Sequence, residues 1–344
     1  MQSPFGFSLL PQCTSTLLPI QVSSMNWDLT GLGVVPPTPP VKNVPVSGTF
    51  NIEVQFCEPT RLNQSHADTL LVLVHGATYT TIYWDFPYEP ETYSFRHFAG
   101  SKGFATLNVA LLGHGQSEHP DPDLVQIPLQ SELLNQLMTL SRNGELPGAI
   151  GHGFKRVVGL GHSAGSNILN DLIVTHPESV DGVILTGYAH VISVPMAPYP
   201  GWLPAREVIP ERFGHLPDGY VTTSEKTTRS AVMYGPRGTY DPAVLEFDEL
   251  HKDLATTGEF ATVGLASVGA PEFRGDVFLV NGAHEVVWCV VPSCDDLTPE
   301  LRFYPRARTS ETAIIPDAGH DLTLHLNART FYNTVTDWLK RHGF

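Results

Sequence analysis

The sequence is short of positive charge: 20 Lys and Arg stand against 35 Asp and Glu, a formal net charge of −15. An acidic surface repels phosphate backbones and anionic lipid, which argues against nucleic acid or a membrane surface as a natural partner. Long apolar runs are missing too. No stretch approaches the roughly 20 consecutive apolar residues of a spanning helix. Met1 to Gln12 lacks a basic start and is broken by Pro4 and Pro11, so it does not read as a signal peptide. Either the protein is leaderless or a leader precedes this numbering. Cysteine is sparse and contains no Cys-x-x-Cys pair, which argues against a zinc site; no metal or other cofactor is expected. There is no internal repeat and no low-complexity tract beyond a Pro-rich N-terminal region. Charged residues make up only 16% and hydrophobic residues 42%, which leaves ample material for a large core and excludes global disorder. A small-molecule substrate is the expected partner.

The four cysteines, Cys13, Cys57, Cys289 and Cys294, allow three pairings. Cys289 and Cys294 enclose only Val-Val-Pro-Ser and are within local reach; pairing them would leave Cys13 to tie to Cys57. An even count, scarce lysine, many prolines and the sequon Asn63-Gln64-Ser65 point to an oxidising, secretory setting, with Asn63 as a glycosylation acceptor.

Residues 1–46 read as a Pro-rich arm, with Pro36, Pro37, Pro39, Pro40 and Pro45 removing backbone donors, that wraps the domain without folding on its own. Val46 to Cys57 alternates as a half-buried strand does. The continuous apolar run Leu70–Val74 fits a central parallel strand covered on both faces. Similar runs return at 105–112, 156–160, 182–185, 277–280 and 312–315. Helical patterns lie between several of them, at 129–140 and 167–175, and a last one at 327–340 closes the chain. Strands alternating with helices predict an α/β fold with a doubly wound, mostly parallel sheet. The core is expected over 47–189 and 271–344. The segment 190–270, rich in Pro, Gly and aromatics, is too long for a plain loop and reads as an inserted lid.

Gly161-His162-Ser163-Ala164-Gly165 lies between the strand pattern Arg156–Leu160 and a helical pattern, the strand–turn–helix setting of a nucleophile elbow. Such a turn strains Ser163 and aims helix N-terminal amides at the reacting centre. A serine hydroxyl needs a base. Among 15 histidines, His320 stands out because it follows the last strand, on the sheet edge where ligands bind; His284 is the competitor. His162 adjoins Ser163, so its ring is expected to point away from the hydroxyl. Glu285 follows the strand Val277–Val280 and is the acid expected to orient His320. The strand before that one ends in Thr186-Gly187-Tyr188, without a carboxylate. Asp317 and Asp321 flank His320 too closely in sequence to reach its far nitrogen. Ala164, after the nucleophile, and Ala77, in the loop His75-Gly76-Ala77-Thr78-Tyr79, are the expected oxyanion donors, with Thr78 as the near alternative. Thr78, Tyr79, His162, Tyr188 and Trp202 are the expected pocket residues.

With these pieces in order, the sequence resembles the α/β-hydrolase superfamily from about Val46 to the C-terminus. It looks closest to a group of secreted fungal hydrolases, on Gln12-Cys13-Thr14, Phe56-Cys57-Glu58-Pro59, Tyr83–Tyr88, Leu112–Ser117 and Gly319-His320-Asp321-Leu322. The resemblance implies the pairings Cys13–Cys57 and Cys289–Cys294 and a mature numbering after leader removal. Ala110-Leu111 stand where many family members carry Asp-Arg. The expected activity is hydrolysis of an ester or lactone of a moderately large apolar or aromatic molecule. Acyl transfer, polyketide release, lyase or cyclase chemistry and a non-catalytic receptor are the alternatives on the same scaffold.

Overall fold

Apolar runs of five to seven residues have no polar face to offer water, and in the structure they lie where both faces are covered. The computed structural model describes residues 12–30, 41–60, 63, 65–191, 201–289 and 294–344. The strands are β1 (Cys13–Trp27), β2 (Asn43–Cys57), β3 (Thr69–Val74), β4 (Ala105–Val109), β5 (Arg156–His162), β6 (Gly182–Thr186), β7 (Trp202–Pro204), β8 (Tyr220–Thr223), β9 (Ala255–Thr256), β10 (Asp276–Gly282) and β11 (Thr309–Ile315). Eight form one sheet in the order β1-β2-β4-β3-β5-β6-β10-β11, parallel from β4 onward. Every residue of β3, β4, β6 and β10 is buried. The helices Ile127–Asn143 and Ala164–Thr175 pack on one another, while Ala328–Arg341 lays Trp338 flat on Phe278 of β10, ring centroids 5.3 Å apart.

Cys13–Trp27 is not a wrapping arm but a strand, paired antiparallel with β2 along its whole length from Cys13↔Cys57 to Trp27↔Asn43. Its inward positions alternate as Ile20, Val22, Ser24 and Asn26. Two of these four are polar, so the apolar period was masked. Asn26 is satisfied by donating to Leu124 O at 2.8 Å. Pro19 is tolerated because β1 is the sheet edge, where a missing N–H costs no ladder bond. Pro45 sits in β2, while Pro36, Pro37, Pro39 and Pro40 lie outside the described residues. A disulfide joins the register pair Cys13 and Cys57, and a second joins Cys289 and Cys294.

Between β6 and β10 the chain leaves the sheet. The described part of this insertion carries the small antiparallel sheet β7-β8-β9 and short helices, among them Lys226–Met233 and Pro242–His251. Pro195, Pro198 and Pro200 lie outside the described residues. These two helices are clasped by a wholly buried ion pair, Arg229 Nε to Asp248 Oδ2 at 2.7 Å. No helix among the described residues is long and apolar enough to cross a membrane.

Candidate active site

β5 ends at His162 and the next helix begins at Ala164, so Ser163 must turn the chain alone. It does so with φ 52° and ψ −116°. A non-glycine residue held there costs on the order of 1–3 kcal/mol and persists only where its surroundings impose it. The surroundings are tight. Ser163 N donates to Thr186 O at 2.9 Å. A Cβ on Gly165 would lie 2.4 Å from Val74 O, and one on Gly76 would lie 3.0 Å from Ser163 Cβ. The two glycines let the elbow helix press onto the end of β3.

His320 lies on the loop after β11 and Glu285 on the loop after β10, neighbouring parallel strands, so both emerge at the same sheet edge. His320 Nδ1 is 2.7 Å from Glu285 Oε2, with both side chains buried. The other carboxylate oxygen of Glu285 accepts from Val287 N at 2.7 Å and Trp288 N at 3.3 Å. Burial pushes the Glu285 carboxyl up, but His320 and the Val287 amide outweigh it and hold it below its ordinary range. Burial disfavours the His320 imidazolium, yet the Glu285 charge more than compensates and lifts its pKa above the ordinary value. Glu285 therefore accepts the proton on Nδ1 and leaves Nε2 as the basic nitrogen. His284, the competitor, lines a cavity of about 370 Å³ beside Glu285.

In the loop after β3, Thr78 is left-handed (φ 64°) and its amide donates to Leu254 O at 2.7 Å. That N–H is committed to the insertion and cannot serve an oxyanion. Ala77 belongs to a small apolar cluster with Val221, Ala255 and Phe260, on which Ala164 and Trp202 also pack. Trp202 stands edge-on to Phe260, centroids 4.9 Å apart. Ala164 is the first helical residue, where amides lack intrahelical partners.

Four of the expected pocket residues are placed differently. Thr78, Tyr79, His162 and Tyr188 are buried in protein, and their polar atoms bond to other protein groups, the Thr78 hydroxyl accepting from Arg229 Nη1 at 2.9 Å. The Tyr188 hydroxyl donates to Ala266 O at 3.0 Å, and its ring backs the acid loop at 5.4 Å from Trp288. The His162 ring stacks on Tyr83 at 4.3 Å and its Nε2 donates to Asp321 Oδ1 at 2.9 Å. The Tyr79 hydroxyl donates to Asp321 Oδ2 at 2.5 Å. Loop position alone does not reveal which way a side chain points, and these four point into the protein. His75, which opens the loop after β3, donates from Nδ1 to Gly76 O at 2.8 Å and accepts at Nε2 from Leu111 N at 3.0 Å. A backbone amide thus braces the loop at Ala110-Leu111, where Asp-Arg is absent. His162, His320 and Asp321 bring their ligand atoms within 4.8 Å and are the described residues able to share a metal. His320 Nδ1 is, however, already committed to Glu285.

A thermophilic esterase from Thermogutta terrifontis superposes with a TM-score of 0.58 at 15% identity, covering 95% of this chain and 100% of that one. A soluble variant of monoglyceride lipase from Saccharomyces cerevisiae gives 0.58 at 16% identity, covering 85% of this chain and 92% of that one. An epoxide hydrolase from Vigna radiata gives 0.55 at 14% identity, covering 84% and 95%. At such identities the likeness concerns the fold, which here serves proteins of differing chemistry. No curated protein sequence matches the chain. The model of the alpha/beta hydrolase family matches residues 71–333. By that match, and by an eight-stranded mostly parallel sheet with its elbow after β5, the chain belongs to the alpha/beta hydrolase family.

Proposed function

We propose that the protein is a serine hydrolase that cleaves an ester or lactone through Ser163, His320 and Glu285. The observation that carries this reading is the 2.7 Å bond between His320 Nδ1 and Glu285 Oε2 at the sheet edge that also holds the strained Ser163. His320 Nε2 takes the Ser163 proton as Oγ attacks the carbonyl, the Ala164 and Ala77 amides hold the oxyanion, and the protonated His320 returns its proton to the leaving oxygen. Water then attacks the acyl-enzyme with His320 again as base, releasing the acid and restoring the serine. Epoxide hydrolases and dehalogenases on this fold place Asp at the elbow, so Ser163 favours acyl chemistry. The apolar cluster of Ala77, Ala164, Phe260 and Trp202, which includes the residue after Ser163, supports an apolar or aromatic acyl group. Two disulfides and an exposed Asn63 in a sequon support an oxidising, secretory compartment with a glycan at Asn63.

A fluorophosphonate probe and short p-nitrophenyl esters, offered to the wild type and to Ser163→Ala, test the proposal. Labelling and turnover, both abolished by the substitution, are expected. An unlabelled wild type refutes the nucleophile. Labelling without hydrolysis favours acyl transfer, lyase chemistry or a receptor.

A further inference from the structure

The proposed mechanism leaves one fully buried carboxylate beside the reacting groups unused. Asp321 follows His320 in the chain and brings a carboxylate oxygen within 4.8 Å of a ring nitrogen of His320, but its hydrogen bonds go elsewhere. Oδ1 accepts from Nε2 of His162, the residue before Ser163, at 2.9 Å, and Oδ2 accepts from the Tyr79 hydroxyl, next to Thr78, at 2.5 Å. Asp321 N donates to Met233 O of the insertion at 2.9 Å. From Tyr79 the connection continues inward. Its hydroxyl is 3.1 Å from Asp248 Oδ2, Arg229 grips both Asp248 oxygens at 2.7 and 2.8 Å, and Arg229 Nη1 donates to Thr78 Oγ1 at 2.9 Å. Burial pushes the His162 imidazole well below its ordinary pKa, so a neutral ring donates to Asp321.

A carboxylate withdrawn from water is costly unless its lone pairs are filled by donors. Here the donors come from separate loops. Moving the elbow, the oxyanion loop or the histidine loop relative to the others breaks a bond to Asp321 and leaves a buried charge short of a partner. We propose that Asp321 is a positioning residue that ties the elbow, the oxyanion loop and the histidine loop into one unit and joins that unit to the docked insertion. The inference rests on the serine-hydrolase reading above.

Tyr79→Phe removes one O–H while keeping the ring that packs under Arg229. Asp321→Asn keeps the volume and one acceptor but cannot accept from both donors. Hydrolysis of a p-nitrophenyl ester is measured per fluorophosphonate-titrated site, so that loss of folded enzyme does not count as loss of rate. Tyr79→Phe is expected to lower kcat about 3–10-fold, the worth of one hydrogen bond. Asp321→Asn is expected to lower kcat on the order of 100-fold with KM within about twofold, because misplacement by about 1 Å is that costly. The double variant should be no slower than Asp321→Asn, since one linkage cannot be lost twice. Downfield proton spectra follow the His320 Nδ1–H bond to Glu285 without any turnover, and that resonance should broaden or shift in both variants. Unchanged kcat per site with an unchanged resonance overturns the proposal, as does a double variant whose losses multiply. Should Asp321→Asn not fold, Tyr79→Phe alone decides. A wild type that takes no label, but whose resonance moves in the variants, refutes the hydrolase reading and leaves the linkage standing.

Discussion

Gly187 directly follows β6, and the site depends on its having no side chain. Its φ is +54°, and a Cβ there would lie 2.8 Å from His162 Cε1 and 2.9 Å from His320 Cε1. Carbon atoms rest at about 3.5–4.0 Å, so Gly187→Ala requires each of the two rings to retreat by about 0.6–1.2 Å. His320 cannot retreat without stretching its 2.7 Å bond to Glu285, and His162 cannot without leaving Asp321. A displacement of about 1 Å costs on the order of 100-fold in rate, so a 10–100-fold fall in kcat per titrated site is expected. The left-handed backbone adds about 1–2 kcal/mol of lost stability, read from a urea melt. Gly343→Ala is the control: φ is +78° and nothing lies within 4 Å, so strain comes without a clash. It should lose stability alone. Wild-type kcat in Gly187→Ala refutes the claim that His320 has no room to move.

Glu285→Gln removes the charge that lifts the His320 pKa, so the acidic limb of kcat/KM should move to lower pH while kcat falls on the order of 10³–10⁴-fold. A pH profile measured on both forms checks the sign. Replacing Cys13 and Cys57 with serine removes a crosslink spanning 44 residues and should lower unfolding free energy by about 2–4 kcal/mol in urea melts. Activity at low temperature should survive, because Cys57 pairs with Thr106 at the start of β4, the edge away from the elbow. Stability should also fall between pH 7 and pH 5. His66, His75, His119, His162 and His325 have depressed pKa values chiefly through burial, so below about 6.5 the unfolded chain takes up protons that the folded chain refuses. His114 and His320, raised by Glu259 and Glu285, oppose this, their stabilisation being full below the unfolded pKa and lost as pH rises. Urea melts across that range measure the balance, at no more than about 1.4 kcal/mol per pH unit for each proton.

Where an element is buried on both faces, its character could be read one residue at a time. The runs at 70–74, 182–185 and 277–280 became β3, β6 and β10 within one or two residues of their expected ends. β1 escaped because half of its inward side chains are polar, Ser24 bonding to Asn26 and Asn26 in turn to Leu124, far off in sequence. Burial of a polar group is decided by its partner, which composition does not display. Asp321 makes the same point in the site. Adjacency to His320 argued against its serving as that histidine's acid, yet gave no hint that it would reach His162 and Tyr79, 159 and 242 positions away.

By itself the sequence determined the strand–turn–helix around Ser163, the chain order of Ser163, Glu285 and His320, and the two cysteine pairs as an expectation from resemblance. Each depends on local geometry or on the order of loops along one sheet edge, and both are written along the chain. Only the tertiary structure decided that Thr78 spends its amide on Leu254, that Tyr79, His162 and Tyr188 face inward, and that one carboxylate gathers three loops. Those outcomes turn on side-chain direction and on which buried donor meets which buried acceptor. Such pairings exist only once the loops have been brought together.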